Sequence, residues 1–194
     1  MLESKMKMIK KKIHWKQIWE RKGNDPTTNL KTLNGYENTS IIPPNIATNI
    51  IQTLKIKPSD TLLEVGAGAG MLAQYLSKHC HYTGTDYSES LCKKHKDLLG
   101  NQIIHCEASQ LPFRNNQFDK TFCFSVFQYF PDHEYAKKTI QELLRVTKST
   151  ILIGDLPLSS HDQDHLLFNK KDWSEWTVSN GYYTDKRFNV YKSL

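Results

Sequence analysis

The stretch Leu62-Leu63-Glu64-Val65-Gly66-Ala67-Gly68-Ala69-Gly70-Met71-Leu72 decides the fold of this chain. An apolar run leads into three glycines at alternate positions, and an apolar pattern with helical spacing follows them. Glycine has no Cβ atom, so the chain can turn tightly here and its backbone can contact a ligand. This order of strand, glycine turn and helix is typical of doubly wound α/β proteins that bind an adenosine cofactor.

The residue that would hold the ribose of such a cofactor is Asp86, at the end of the next apolar run. It lies about 20 residues beyond Gly66, where a carboxylate can accept hydrogen bonds from both ribose hydroxyls. The glycines and Asp86 alone fit a nicotinamide dinucleotide equally well.

Three features disfavour a nicotinamide dinucleotide. The spacing is GxGxG, and Met71 stands where the dinucleotide motif has Gly or Ala for helix packing. Glu64 would repel a pyrophosphate but suits an ammonium group. The chain of 194 residues is also too short for a catalytic domain of the usual dehydrogenase size.

Length and charge limit the class of protein. The length suits one α/β domain with an additional N-terminal segment. Residues 1–22 hold eight Lys or Arg and two Glu, which accounts for the whole formal net charge of +6, so the remainder is neutral. A nucleic-acid-binding domain is expected to carry its basic face on the folded body. This distribution therefore disfavours nucleic acid as a partner.

Cysteine spacing and hydropathy predict a soluble cytoplasmic protein. The four cysteines form no CxxC pair and are expected to be free thiols in a reducing compartment. No apolar stretch approaches the roughly 20 residues of a membrane span, and no apolar segment follows the lysine-rich start as in a signal peptide. No membrane partner is expected, and the oligomeric state is left as monomer or homodimer.

The basic N-terminal segment has the pattern of an amphipathic helix. Met8, Trp15, Ile18 and Trp19 fall on one helical stripe, with the lysines elsewhere. Three interpretations are open: a helix that packs its tryptophans on the domain, a lid over an active site, or a helix on a membrane surface.

The segment 24–40 is polar, with turn signals at Asp25-Pro26 and Asn34-Gly35, and is predicted to be irregular or mobile. Residues 1–40 are therefore interpreted as a basic amphipathic helix followed by a mobile lid segment. Residues 41–194 are interpreted as the ligand-binding domain.

Alternating strand and helix patterns follow from the Pro43-Pro44 helix start onward. The predicted strands are residues 61–65, 82–85, 103–107, 120–124 and 150–153, with helices between them. The tail is predicted to form a short helix over 173–178 and a hairpin from 182–184 and 188–191. These patterns predict an α/β fold, a Rossmann-like, doubly wound, mostly parallel seven-stranded sheet with a C-terminal antiparallel hairpin and helices on both faces.

Four segments resemble, in order and spacing, the motifs of the class I S-adenosylmethionine-dependent methyltransferases, in particular small bacterial members that act on small molecules. They are residues 62–70, 83–88, 107–113 and 118–125. The resemblance covers residues 41–194. It implies an S-adenosylmethionine-binding methyltransferase domain there, with S-adenosyl-L-methionine as cofactor and S-adenosyl-L-homocysteine as its product.

The resemblance also implies which positions bind the cofactor. The implied positions are Glu64, Gly66, Ala67, Gly68, Gly70, Asp86, Tyr87, Glu107, Ala108, Ser109, Phe124 and Ser125. Asp86 would hold the ribose hydroxyls, Tyr87 would pack against adenine, and Ser125 would lie near the methionine portion and the substrate. Glu107 stands where the family usually has Asp, so the contact with the adenine amino group is expected to be adjusted by one methylene.

The acceptor side is less determined by sequence. A methyl group on a sulfonium is already activated, so a base is needed only if the nucleophile arrives protonated. Candidates for a catalytic role are Tyr129, Asp155, His133 and His161, and candidates for acceptor binding are Trp15, Trp19, Tyr36, Gln128 and Tyr129. His161 and His165 have a spacing that could ligate a metal on a helix, but their run is typical of a polar loop and no metal is predicted.

These observations predict methyl transfer to an oxygen or nitrogen of a small-molecule acceptor, such as a secondary metabolite or a sugar-like compound. Two alternatives are open: a methyltransferase of nucleic acid or protein held by the basic N-terminus, and a non-catalytic cofactor-binding subunit. The absence of an Asn/Asp-Pro-Pro-aromatic tetrapeptide after the fourth predicted strand disfavours a methylase of amino groups on bases or glutamine.

Overall fold

A computed structural model of the chain describes residues 2–159 and 164–194. Its centre is a seven-stranded sheet in the order β3-β2-β1-β4-β5-β7-β6. The strands are β1 Thr61–Val65, β2 His81–Asp86, β3 Ile103–His105, β4 Phe118–Phe124, β5 Thr147–Pro157, β6 Thr177–Asn180 and β7 Arg187–Ser193. Strands β1 to β5 pair in parallel, and β7 runs antiparallel to β5 and β6. The predicted fold class is confirmed.

Side-chain caps mark the starts of several helices. They are α1 Leu2–Gly23, α2 Leu30–Leu33, α3 Pro43–Leu54, α4 Ala73–Leu76, α5 Glu89–Leu99 and α6 His133–Val146, with 3-10 turns at Phe127–Tyr129 and Lys170–Trp173. Ser88 caps α5 by accepting from the Leu91 amide, and Asp132 caps α6 by accepting from the Tyr135 amide.

The sheet is buried on both faces, as a parallel sheet requires. Alternate residues of β1 enter different apolar clusters: Leu63 packs with Leu143 of α6, and Leu62 packs with Ile50 of α3. Helices therefore cover both faces, and the carboxyl ends of the strands remain as the edge at which a ligand can bind.

The tail differs from its sequence prediction. Residues 173–178 are not a helix: Lys170–Trp173 forms a 3-10 turn, and Thr177–Asn180 is the edge strand β6, which pairs with β7. Asn189 of β7 donates its side-chain amide to the Asn180 carbonyl and supports the strand. Tyr182 and its neighbours form the connection instead of a strand.

The N-terminal segment packs on the domain from Trp15 onward. Trp15 is buried, and the Glu20 carboxylate accepts hydrogen bonds from the Glu89 and Ser90 amides at 2.9 and 3.1 Å, so α1 supplies an acid to the N-terminus of α5. Residues 24–40 contain α2, and Leu33 is fully buried. A single buried leucine gives no periodic signal, which is why α2 was not predicted.

Gly23, at the end of α1, makes this packing possible. A Cβ atom there would stand 2.3 Å from Ser90 Oγ and 2.5 Å from the Leu91 amide nitrogen. Gly23→Ala is therefore expected to loosen α1 from α5 at a cost of about 1–3 kcal/mol, measured as faster amide hydrogen exchange in α1. Gln17→Ala, at an exposed position of α1, is the control that should leave α1 protected. Unchanged exchange in the Gly23 variant would contradict this packing.

All four cysteines are free thiols. No helix of residues 2–159 and 164–194 is both long and apolar enough to cross a membrane. No group of three or more His, Cys, Asp or Glu in the same ranges is arranged to hold a metal ion.

Candidate functional site

A cavity opens at the carboxyl edge of the sheet, where β1 lies between β2 and β4 and the strand order reverses. It contains about 840 Å³ of empty space, part of it open to solvent. The sequence-predicted residues that line it are Trp19, Tyr36, Gly66, Gly68, Asp86, Tyr87, Glu107, Ala108, Phe124, Ser125 and Tyr129. Those outside the lining are Trp15, Glu64, Ala67, Gly70, Ser109, Gln128, His133 and Asp155. His161 falls outside the described residues.

Asp86 is held rigidly at the tip of β2. Its Oδ2 accepts the Gly68 amide at 2.8 Å and its Oδ1 accepts the Ser88 amide at 2.9 Å. Each carboxylate oxygen has a second lone pair, so both can still accept a hydroxyl of a ligand. Burial raises the pKa of Asp86 to about 6, so the carboxylate is ionised at neutral pH.

The three glycines of the loop face two different sides. Gly66 and Gly68 line the cavity with φ of 80° and 55°, and a Cβ on Gly66 would stand 2.3 Å from Val126. Gly70 faces the other way, since its Cβ would meet Leu99 of α5 at 2.4 Å. Two of the three glycines therefore shape the cavity, and the third allows a helix to pack against the loop.

His95 holds this loop from behind. It is fully buried on α5, and its Nδ1 lies 3.1 Å from the Gly68 carbonyl oxygen. Burial lowers the pKa of His95, and a carbonyl only accepts, so the neutral ring donates from Nδ1. The Gly68 residue is thus held at its amide by Asp86 and at its carbonyl by His95. His95 has no sequence signal beyond a buried helix position, and sequence reasoning missed it.

Glu64 is buried beneath the loop and does not line the cavity. Its Oε2 accepts the Tyr82 hydroxyl at 2.6 Å. Burial raises the pKa of Glu64 to about 8, and the nearby Asp86 adds to the rise. The structure places Glu64 beneath the loop, in contact with Tyr82 and outside the residues that line the cavity.

The raised pKa of Glu64 makes stability depend on pH. The unfolded chain releases this proton near pH 4.5 and the folded chain near pH 8, so the free energy of unfolding falls as pH rises between these values. The slope from this one proton is at most about 1.4 kcal/mol per pH unit. Urea unfolding at several pH values is expected to show a shallower slope in Glu64→Gln than in wild type. Equal slopes would show that Glu64 does not hold the proton.

The far end of the cavity suits an adenine ring. Tyr87, Glu107 and Ala108 line it, and Tyr135 of α6 donates its hydroxyl to Glu107 Oε2 at 2.5 Å. The longer side chain of Glu107 is thus oriented by Tyr135, a partner that sequence reasoning missed. The Tyr87 hydroxyl is buried without a hydrogen-bond partner in the described part of the chain.

The opposite end has an aromatic wall contributed by the N-terminal segment. Trp19 and Tyr36 line the cavity with Tyr129, and the Trp19 and Tyr129 ring centroids lie 5.0 Å apart. Trp15 packs behind Tyr129, with their ring centroids 4.8 Å apart, and stacks on His165, with a centroid distance of 5.2 Å. The two tryptophans of α1 therefore have different places: Trp15 is buried, and Trp19 forms part of the cavity wall.

Behind this wall lies a buried polar network. Gln128 donates to Ser125 Oγ at 3.1 Å, and Arg187 donates to Gln128 Oε1 at 2.6 Å. Asp155 Oδ2 accepts from Arg187 at 3.1 Å and from the Tyr183 hydroxyl at 2.9 Å. Burial raises the pKa of Asp155, and the Arg187 charge opposes the rise. Tyr183 and Arg187 follow Asp155 by 28 and 32 residues, so sequence reasoning did not connect them.

The backbone at this network is unusual. Ser125 at the end of β4 and Asp155 in β5 have φ of 59° and 64°, in the left-handed region that non-glycine residues rarely adopt. Such conformations often mark functional sites, because surrounding structure must hold them.

The remaining histidine candidate lies elsewhere. His133 is exposed at the start of α6, with its ring edge-on to Phe168 at 5.4 Å, and is not brought to the cavity.

Comparisons with known proteins agree with this arrangement. Residues 63–152 match the family model of a methyltransferase domain. A demethylmenaquinone methyltransferase of Listeria welshimeri is 28% identical over 108 residues, which covers 50% of this chain and 44% of that protein. A tRNA (carboxymethyluridine(34)-5-O)-methyltransferase of Arabidopsis thaliana is 26% identical over 125 residues, covering 64% of this chain and 29% of that protein. The matches thus span less than half the length of these relatives.

A solved structure extends the similarity beyond the matched domain. Phosphoethanolamine N-methyltransferase 1 of Haemonchus contortus superposes with a TM-score of 0.70 at 12% identity, over 94% of this chain and 48% of that one. At this identity the likeness concerns the fold. Residues 63–152 thus match a methyltransferase domain, and the sheet around them has the fold of a solved methyltransferase.

Proposed function

We propose that this chain transfers the methyl group of S-adenosylmethionine to an oxygen or nitrogen atom of a small-molecule acceptor, such as a secondary metabolite or a sugar-like compound. The observation that carries the proposal is a single cavity with a carboxylate for the ribose at Asp86 and an aromatic wall at Trp19, Tyr36 and Tyr129. A donor site and a space for an acceptor are thus continuous.

The residues present fit the cofactor. Asp86 has lone pairs for two ribose hydroxyls, and the unpartnered Tyr87 hydroxyl and the Glu107 carboxylate lie at the adenine end. Bound there, S-adenosylmethionine supplies a methyl group already activated by a sulfonium. Among the described residues that line the cavity, the charged ones are Asp86 and Glu107, both acids, which favours a cationic ligand.

The wall of the cavity favours a small organic acceptor. One matched relative is named for demethylmenaquinone and another for a tRNA, so similarity alone does not identify the acceptor of this chain. The N-terminal segment brings Trp19 and Tyr36 over the cavity and leaves a space lined by aromatic rings. Such a space orients a small organic molecule and excludes water from the reacting atoms. None of the described lining residues is basic, as a phosphate backbone at the site would require.

We also propose that the polar network of Ser125, Gln128 and Asp155 lies on the acceptor side of the cavity with Tyr129. The cytoplasmic location, the monomeric or homodimeric state and the absence of a bound metal stay predictions.

Methyl transfer is tested with S-adenosylmethionine that carries a labelled methyl group. The protein is incubated with it and with separate small-molecule, RNA and protein fractions of a cell extract, and Asp86→Ala is the negative control. We expect label in the small-molecule fraction only. Label in RNA or protein would support the macromolecular alternative. Cofactor binding without incorporation into any fraction would support a non-catalytic cofactor-binding subunit.

A further inference from the structure

Asn34, in the turn after α2, brings a polar side chain of the N-terminal segment into the cavity wall. Its Nδ2 donates to the Ala67 carbonyl at 3.1 Å. A carbonyl oxygen only accepts, so this contact fixes which atom of the Asn34 amide is nitrogen and which is oxygen. Asn34 Oδ1 is buried and has no hydrogen-bond partner among the described residues. The wall therefore contains an unsatisfied amide oxygen, which can only accept a hydrogen bond.

Packing holds Asn34 against the glycine loop. The preceding residue, Leu33, is fully buried and packs with Ala69 of the loop and Leu91 of α5. A Cβ atom on Gly68 would stand 2.5 Å from Asn34 Nδ2, so the loop admits the Asn34 side chain because Gly68 has none. The protein itself thus positions Asn34, and a ligand that bonds to this side chain has little of the chain left to order.

Asn34 and Asp86 hold one peptide unit of the loop from opposite sides. Asp86 Oδ2 accepts from the Gly68 amide at 2.8 Å, and Asn34 donates to the Ala67 carbonyl, which belongs to the same peptide bond. This bond is trans, so its N–H and its C=O point in opposite directions. The two side chains therefore meet a ligand in the cavity at different points.

S-Adenosylmethionine carries three kinds of hydrogen-bond donor: the amino group of adenine, the two ribose hydroxyls and the ammonium group of its methionine portion. Glu107 lies at the adenine end of the cavity, and Asp86 has lone pairs for the two hydroxyls. The donor that remains for Asn34 Oδ1 is the ammonium group. The described residues that line the cavity include two acids and no Lys, Arg or His, which favours a cation beside this oxygen.

We infer that Asn34 is a cofactor-binding residue whose Oδ1 accepts a hydrogen bond from the ammonium group of S-adenosylmethionine. This inference rests on the proposed function. The bond satisfies a buried acceptor, and a hydrogen bond from a charged donor is stronger than one from a neutral donor. The N-terminal segment thereby becomes part of the cofactor site, and residues 41–194 alone do not complete that site.

The test compares two ligands by calorimetric titration at neutral pH. S-Adenosylhomocysteine carries the ammonium group, and its deaminated analogue has hydrogen in place of that group. The ratio of their dissociation constants is the preference of the protein for the ammonium group. In Asn34→Ala this preference is expected to fall about tenfold or more, the value of one hydrogen bond from a charged donor. Asn38→Ala, at an exposed position of the same segment outside the cavity lining, is the control that should keep the wild-type preference.

Asn34→Asp separates binding of the ammonium group from support of the loop. A carboxylate cannot donate to the Ala67 carbonyl, so this support is lost as it is in Asn34→Ala. The carboxylate keeps an oxygen for the ammonium group and adds a negative charge, so the preference is expected to be at least that of wild type. An unchanged preference in Asn34→Ala, or a preference in Asn34→Asp as low as in Asn34→Ala, would overturn the inference.

The wild-type titrations separate this inference from the proposed function. If wild type does not bind S-adenosylhomocysteine, the proposed function fails, and this inference fails with it. If wild type binds S-adenosylhomocysteine and its deaminated analogue equally well, only the inference about Asn34 is overturned.

Discussion

Asp86→Ala is expected to weaken S-adenosylmethionine binding by about 100-fold or more. The Asp86 carboxylate is the acceptor available to both ribose hydroxyls, and each hydrogen bond to a charged group contributes about 1.5–3 kcal/mol. Two such bonds correspond to at least about two powers of ten in affinity. The substitution also releases the Gly68 and Ser88 amides that the carboxylate holds at 2.8 and 2.9 Å, which disorders the loop beside the ligand.

The fluorescence of Trp19, which lines the cavity, provides the measurement. Titration with S-adenosylmethionine gives the dissociation constants of wild type, Asp86→Ala and the control Asp97→Ala, in which an exposed acid of α5 is lost. Thermal unfolding of each variant shows whether the fold is kept. A folded Asp86→Ala protein with wild-type affinity would remove Asp86 from the site.

Arg187→Met is expected to lower the free energy of unfolding by about 3 kcal/mol near pH 8, because it leaves the buried Asp155 carboxylate without its cation. Arg187 also donates to the Asp155 carbonyl and to Gln128. In the variant, Asp155 keeps its proton to a higher pH in the folded chain than in the unfolded chain. The loss of stability is therefore expected to be smaller at pH 5 than at pH 8.

Chemical denaturation at the two pH values measures this effect. Lys192→Met is a matched control on the same strand, since Lys192 pairs with the exposed Glu175 at 3.1 Å and an exposed pair contributes at most about 1 kcal/mol. A loss in Arg187→Met no larger than in the control would mean that the buried pair does not stabilise the fold. A loss independent of pH would mean that Asp155 does not take up a proton.

The sheet and the edge of the cavity at Asp86 were predictable because their signals are local. The strand at 61–65, the alternate glycines and Asp86 occupy one turn and one strand end, and parallel pairing brings them to the same edge. Gly70 and Glu64 belong to the same motif, yet Gly70 faces α5 and Glu64 contacts Tyr82. The motif predicts that both residues lie near the loop, but it does not predict which side of the loop each one faces.

The acceptor side depended on contacts between distant residues. Asp155 meets Tyr183 and Arg187 only because β7 returns beside β5, and Asn189 bonds to the Asp155 amide where the pairing shifts register. Tyr36 and Leu33 are buried by tertiary packing in a polar segment whose composition indicated a mobile loop. His133 had the expected residue type near the fourth strand, but the start of α6 directs it to the surface.

Calorimetric titration of the whole wild-type chain with S-adenosylhomocysteine most directly tests whether this cavity is a cofactor site. We expect one molecule bound per chain with a dissociation constant in the micromolar range, which corresponds to about 8 kcal/mol of binding free energy. No heat of binding at millimolar ligand, with the protein folded, would contradict the assignment of the cavity lined by Gly66, Gly68 and Asp86.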